Sequence, residues 1–139
     1  MTSRVVIVSP RPILREALSR WVEEAGDLDV VEEVARGEDA LVSATHSRPD
    51  IIILEADMPG VSGFEVAGAI SQTFPGMGII IIADTADRDV RKKAADVGAR
   101  GVVSKSWGRE AFRMVVRLVE EGRSPPLIEV HGRPGRPPQ

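Results

Sequence analysis

The stretch Arg48 to Gly63, RPDIIILEADMPGVSG, decides the fold. A continuous apolar run, Ile51 to Leu54, ends in a carboxylate, Glu55, and a Met58-Pro59-Gly60 turn follows at once. Unbroken runs of this kind mark strands buried on both faces, as in a parallel sheet covered by helices on each side. The same pattern recurs at Val5 to Val8, Ile79 to Ala83 and, more briefly, Gly101 to Val103. Leu28 to Val34 mixes Val30, Val31 and Val34 with acids, which suits an edge strand.

Helical periodicity fills the gaps between these runs. Pro12 is placed for a first helical turn, and Leu14, Ala17, Leu18 and Trp21 follow at i, i+3, i+4, i+7 until Gly26. A short second helix is predicted over Glu38 to His46 and a third over Phe64 to Phe74, stopped by Pro75-Gly76. A fourth carries Val90, Ala94 and Val97, and a fifth carries Phe112, Val115, Val116 and Val119 up to Gly122. Strand and helix alternate five times with short connections. Right-handed crossovers then give an α/β fold, a doubly wound five-stranded parallel sheet of (βα)5 flavodoxin-like form. The working site of such a sheet lies at the carboxyl ends of its strands, here Ser9-Pro10, Glu55, Ala83-Asp84 and Ser104-Lys105.

Length and composition narrow the function. The 139 residues suffice for one ordinary domain, and the net charge of −3 does not suit binding of nucleic acid through the overall field. Cysteine is absent, which excludes disulfides, thiolate metal sites and a cysteine nucleophile. No apolar run approaches the roughly 20 residues of a membrane span, and Val5 to Val8 is too short for a signal peptide. A cytoplasmic location and no membrane contact are expected. His46 and His131 lack a second ligand at metal-like spacing. The domain is expected over residues 1–122. Residues 123–139, RSPPLIEVHGRPGRPPQ, read as a Pro/Gly/Arg-rich linker or disordered tail. Its GRPGRPP partly resembles an AT-hook, but Pro134 interrupts the arginine-glycine step. DNA contact through Arg133 and Arg136 is therefore the lesser reading.

Four pieces, RVVIVSPRPILREAL, RPDIIILEADMPGVSGFEV, GARGVVSK and the spacing between them, resemble the receiver domain of two-component response regulators. The resemblance is closest to receivers of the NarL type and runs from about Arg4 to Gly122. It implies phosphoryl transfer to an aspartate at the end of the third strand. Two acids after the first strand hold Mg²⁺, and a lysine and a hydroxyl contact the phosphoryl oxygens. Position by position, the acid pair falls on Ser9 and Pro10, the acceptor on Glu55, the hydroxyl on Ala83, the lysine on Lys105 and the switch aromatic on Val102. Only the lysine remains.

Loss of the acid pair implies weak or absent Mg²⁺ binding, and no other cofactor is expected. A glutamate reaches roughly 1.5 Å further than an aspartate, and misplacement on that scale can cost about a hundredfold in rate. The extra length instead brings the carboxylate to where Lys105 can pair with it. Asp57 and Asp84 are the acids that would rebuild a metal site, whereas Asp84 and Asp87 acting as caps of the fourth helix is the simpler reading. Arg91 and Lys92 on a basic fourth-helix face, together with Trp107, are the interface candidates. For Trp107 a cover over the core is an equal alternative.

The expectation is a non-enzymatic pseudo-receiver, a phosphorylation-independent interaction and dimerisation module regulating transcription in an intact protein. Its partner would be a protein or a second copy, through the fourth helix, fifth strand and fifth helix. DNA would be reached through an output domain outside this sequence. The alternative is a divergent phosphoacceptor using Glu55 or Asp57 with a weak Mg²⁺ site. An unrelated use of the fold is disfavoured by the lack of a Gly-rich phosphate loop and of a Ser-His pair.

Overall fold

The computed structural model describes residues 2–122. The expectations for residues 123–139, with Arg133, Arg136 and His131, lie outside the described residues. Within them the chain runs β1 (Ser3–Val8), α1 (Pro12–Glu23), β2 (Leu28–Val34), a 3-10 turn (Gly37–Asp39), α2 (Ala40–Ser47), β3 (Ile51–Glu55), α3 (Gly63–Thr73), β4 (Gly78–Ala83), α4 (Arg88–Asp96), β5 (Gly101–Ser104) and α5 (Arg109–Glu120). The strands form one sheet in the order β2-β1-β3-β4-β5, every pair parallel. This is the doubly wound fold expected from the alternation. The chain moves outward from β1 to β2 and then crosses back over β1 to β3. The strand order therefore reverses between β1 and β3, and folds of this kind place their sites at the carboxyl edge beside such a reversal.

Burial follows strand position. β3, β4 and β5 are buried along their whole length, and β1 from Val5 onward, as expected for strands covered on both faces. β2 lies at the edge, and only Leu28 and Val34 are buried in it. Its acids are tied down or exposed, which blunts the edge against further pairing. α1 packs beside α5, where the Trp21 and Phe112 rings meet at 5.7 Å between centroids, and α2 packs beside α3. Leu18 and Val22 of α1, and Phe112, Val115, Val116 and Val119 of α5, are the buried apolar residues that fix these faces.

Two helix starts differ from the sequence expectation for local reasons. The second helix was expected from Glu38, but Gly37–Asp39 first makes a 3-10 turn and the α-helix begins at Ala40. The third begins at Gly63, because Ser62 caps it. Ser62 Oγ accepts from the Glu65 amide at 3.2 Å, and the Glu65 carboxylate accepts from the Ser62 amide at 3.3 Å. This cap fixes the approach of α3 to the end of β3. A Cβ on Gly63 would stand 2.0 Å from the Glu55 carbonyl oxygen, so only glycine fits there. Among the described residues no helix is long and apolar enough to cross a membrane.

Candidate functional site

The site lies where β1 and β3 part. Glu55 ends β3 and is 0% exposed, an unusual position for a carboxylate. Such a charge is costly to bury unless it is paired and hydrogen-bonded. Three groups meet it. Ser9 Oγ, also fully buried, donates to Oε1. The Arg11 guanidinium donates to Oε2, and Lys105 Nζ lies 2.9 Å from the same oxygen. Two cations and one hydroxyl thus share the two oxygens of a single carboxylate.

Each partner is itself positioned. Ser9 Oγ accepts from the Arg11 amide at 3.2 Å, and Arg15 donates to the Ser9 carbonyl at 2.6 Å, which folds the β1–α1 turn onto the first turn of α1. Lys105 is held by its amide, which donates to the Ala83 carbonyl at 2.8 Å across the ends of β4 and β5. Its ammonium also lies 3.5 Å from Asp84, whose side chain is 80% exposed. Ala83 itself is buried and offers no side-chain donor or acceptor. Val102 is buried in β5 opposite Ile81 of β4.

The remaining candidates lie outside this cluster. Pro10 is half-buried in the turn, and Asp57 is exposed beyond the end of β3. Of the two acids offered as helix caps, Asp87 fills the role: its Oδ1 accepts from the Val90 amide at 3.0 Å. Asp84 instead stands with Lys105. Trp107 is 5% exposed, and its amide donates to the Ser104 carbonyl at 3.0 Å, which suits a cover over the core rather than an exposed anchor. The basic face of α4 is divided. Arg91 donates to the Ala86 carbonyl at 2.6 Å, Lys92 pairs with Asp96 at 3.0 Å, and Lys93 lies over the Phe64 ring at 4.5 Å. His46 is exposed on α2.

Arg11 is the residue that sequence reading missed. A side chain in the β1–α1 turn is not matched to a partner 44 positions away by any periodicity. The available signal was position alone: a cation just past the end of the strand that neighbours β3. Ser9, read from the sequence only as a position where an acid of the pair is lost, is a donor to Glu55.

A divalent cation does not fit these residues. Mg²⁺ takes near-octahedral oxygen ligands, usually carboxylates with water and phosphate. Here one Glu55 oxygen already accepts from a guanidinium and an ammonium, and the other from a hydroxyl. Asp84, the further acid in the cluster, is itself paired with Lys105 at 3.5 Å and its side chain is 80% exposed. Among the described residues no three His, Asp or Glu side chains group so as to hold a metal.

The family model of the response regulator receiver domain matches residues 5–117. The chain belongs to the response regulator receiver family. It is 30% identical over 122 residues to the oxygen regulatory protein NreC of Staphylococcus epidermidis, covering 87% of this chain and 56% of NreC. It is 27% identical over 120 residues to the transcriptional activator protein ExaE of Pseudomonas putida, covering 86% of this chain and 56% of ExaE. The receiver therefore spans about half the length of these curated relatives. Among solved structures it resembles the signal receiver domain of the response regulator NarL of Mycobacterium tuberculosis, with a TM-score of 0.81 and 28% identity, covering 88% of this chain and 98% of that one. The chain is thus a receiver domain of the two-component type, with the cluster around Glu55 at the carboxyl ends of its strands.

Proposed function

We propose that this domain is a pseudo-receiver, a phosphorylation-independent interaction and dimerisation module of a two-component response regulator. The observation that carries the reading is that Glu55 is fully buried with both oxygens engaged, by Ser9 on one and by Arg11 and Lys105 on the other. A phosphoacceptor must present a free oxygen to the incoming phosphorus in line with the leaving group. Glu55, 0% exposed, presents no oxygen to solvent. The hydroxyl that would hold a phosphoryl oxygen is missing at Ala83, and a small buried valine replaces the switch aromatic at 102. The module performs no catalysis of its own. It acts in the cytoplasm by presenting a fixed surface to a protein partner or a second copy, through α4, β5 and α5.

The relatives named as transcriptional and oxygen regulators are about twice as long as the matched segment. That length supports a DNA-binding output domain in the intact protein, which the receiver would bring together in pairs. The alternative, a divergent phosphoacceptor, is favoured by one observation: Asp57 is exposed just beyond the end of β3. Incubation with acetyl phosphate followed by intact-mass measurement separates the two. The pseudo-receiver stays unmodified. A stable gain of one phosphoryl group, lost in Asp57→Asn or Glu55→Gln, would establish the alternative.

A further inference from the structure

The cluster contains one more cationic side chain than the family resemblance supplies. Lys105 is shared between Glu55 at 2.9 Å and Asp84 at 3.5 Å, so one positive charge faces two negative ones. Arg11 restores the balance from the other side. Its guanidinium meets the fully buried Glu55 while its own side chain is 49% exposed, so it stands between that carboxylate and solvent at the ends of β1 and β3.

The backbone delivers it there. Arg11 stands between Pro10 and Pro12, and a residue before proline is held out of the helical region. Arg11 indeed adopts φ −98°, ψ 110°, immediately before the first turn of α1, and its amide is fixed by Ser9 Oγ at 3.2 Å. Pro12 restricts the next step of the chain as well. The Pro-Arg-Pro turn is therefore a rigid mount for one cation, in the segment from which the family resemblance draws its metal-binding acids.

We propose that Arg11 is a built-in cation that stands in for the charge of the divalent metal and clasps the β1–α1 turn to the end of β3. The inference rests on the pseudo-receiver reading and deepens it: the domain keeps its working edge closed with no metal and no phosphate. Two loops, β1–α1 and β5–α5, then converge on one carboxylate, and the Lys105–Asp84 pair adds the loop after β4. A corollary is that removing the guanidinium leaves a vacant cation site with Glu55 as its anion.

The test is thermal denaturation of the whole chain and of Arg11→Ala, Arg11→Lys and Arg11→Ala/Glu55→Gln, each in EDTA, in millimolar Mg²⁺ and in millimolar methylguanidinium. The parent midpoint is expected to be the same in EDTA and Mg²⁺. Arg11→Ala is expected to melt lower by about 5 °C and to regain part of that, saturably, with methylguanidinium but not with Mg²⁺, for which the single Glu55 carboxylate supplies too few oxygen ligands. Arg11→Lys, which keeps the charge, retains most of the parent midpoint, and the double variant shows no rescue. An Arg11→Ala midpoint equal to the parent's overturns the proposal. So does a loss that methylguanidinium does not repair and that persists unchanged in the Glu55→Gln background. Intact-mass measurement on the parent after acetyl phosphate is read alongside: phosphorylation there would overturn the pseudo-receiver reading, whatever the rescue shows.

Discussion

Replacing Lys105 with alanine removes one of the two cations that face Glu55. The lysine side chain is 23% exposed and the glutamate 0%, so their contact at 2.9 Å lies at the edge of the interior rather than on the open surface. Stripping a buried carboxylate of its only cation costs about 3–5 kcal/mol. Glu55 keeps Arg11 and Ser9, so the loss falls to that of one charge-assisted bond with its acceptor left short, about 1–3 kcal/mol. For a domain of this size that corresponds to a fall of roughly 4–12 °C in the midpoint. Urea denaturation followed by tryptophan fluorescence reads it directly, because Trp107 is buried two residues from Lys105. The same substitution in a Glu55→Gln background should cost under about 0.5 kcal/mol, since only the exposed Asp84 contact is then lost. An unchanged midpoint, or equal losses in the two backgrounds, would refute the idea that Lys105 stabilises by pairing with Glu55.

Gly63→Ala should cost about 3 kcal/mol or more, because the new Cβ meets backbone atoms of Glu55 and Ala56 that cannot rotate away; a chemical-denaturation midpoint near the parent's would show that α3 can shift freely. Glu32 accepts from Ser43 at 2.7 Å and Ser47 at 2.6 Å, and those hydroxyls hold its carboxyl below the ordinary 4.5. Its contribution is therefore full above 4.5 and is lost as pH falls through the lowered value. The stability gap between the parent and Glu32→Gln should be constant from neutral pH down to about 4.5 and narrow below it. A gap that widens with acid would reverse the sign. If α4 is the dimer surface, Arg91→Glu/Lys92→Glu should abolish a dimer in sedimentation, with Lys92→Glu alone as the control that spares the Arg91–Ala86 bond. A dimer that survives both places the interface elsewhere.

Three strands were legible as short runs rich in isoleucine and valine bounded by turn residues, whereas β2 was read from Val30, Val31 and Val34 set among acids and β5 from a shorter run. Pro12 and Asp87 marked helix starts through local chemistry, and Asp87 caps by its side chain; the Ser62 cap of α3 was not read, so that helix was placed one residue late. The strand ends that carry Glu55 and Lys105 could be placed on one edge from the alternation alone. The contacts of Arg11 could not be foreseen, since they depend on a turn conformation and a separation of 44 residues. The same holds for Asp84: sequence places it before α4, but only the geometry shows Lys105 within reach while Asp87 takes the cap. Trp107 was ambiguous for a related reason. A tryptophan beside a site has the same sequence signature whether it covers the core or anchors a partner, and here it is buried.

An amide NMR titration of the chain with Mg²⁺, and then with Mg²⁺ and beryllofluoride, tests most directly whether the receiver works without phosphorylation. With Glu55 held by Ser9, Arg11 and Lys105, the amides around residues 9, 55, 83 and 105 should not move at millimolar metal, nor on adding beryllofluoride. Saturable shifts confined to those strand ends would show that the clasp opens to metal and phosphoryl analogue, and would contradict the account.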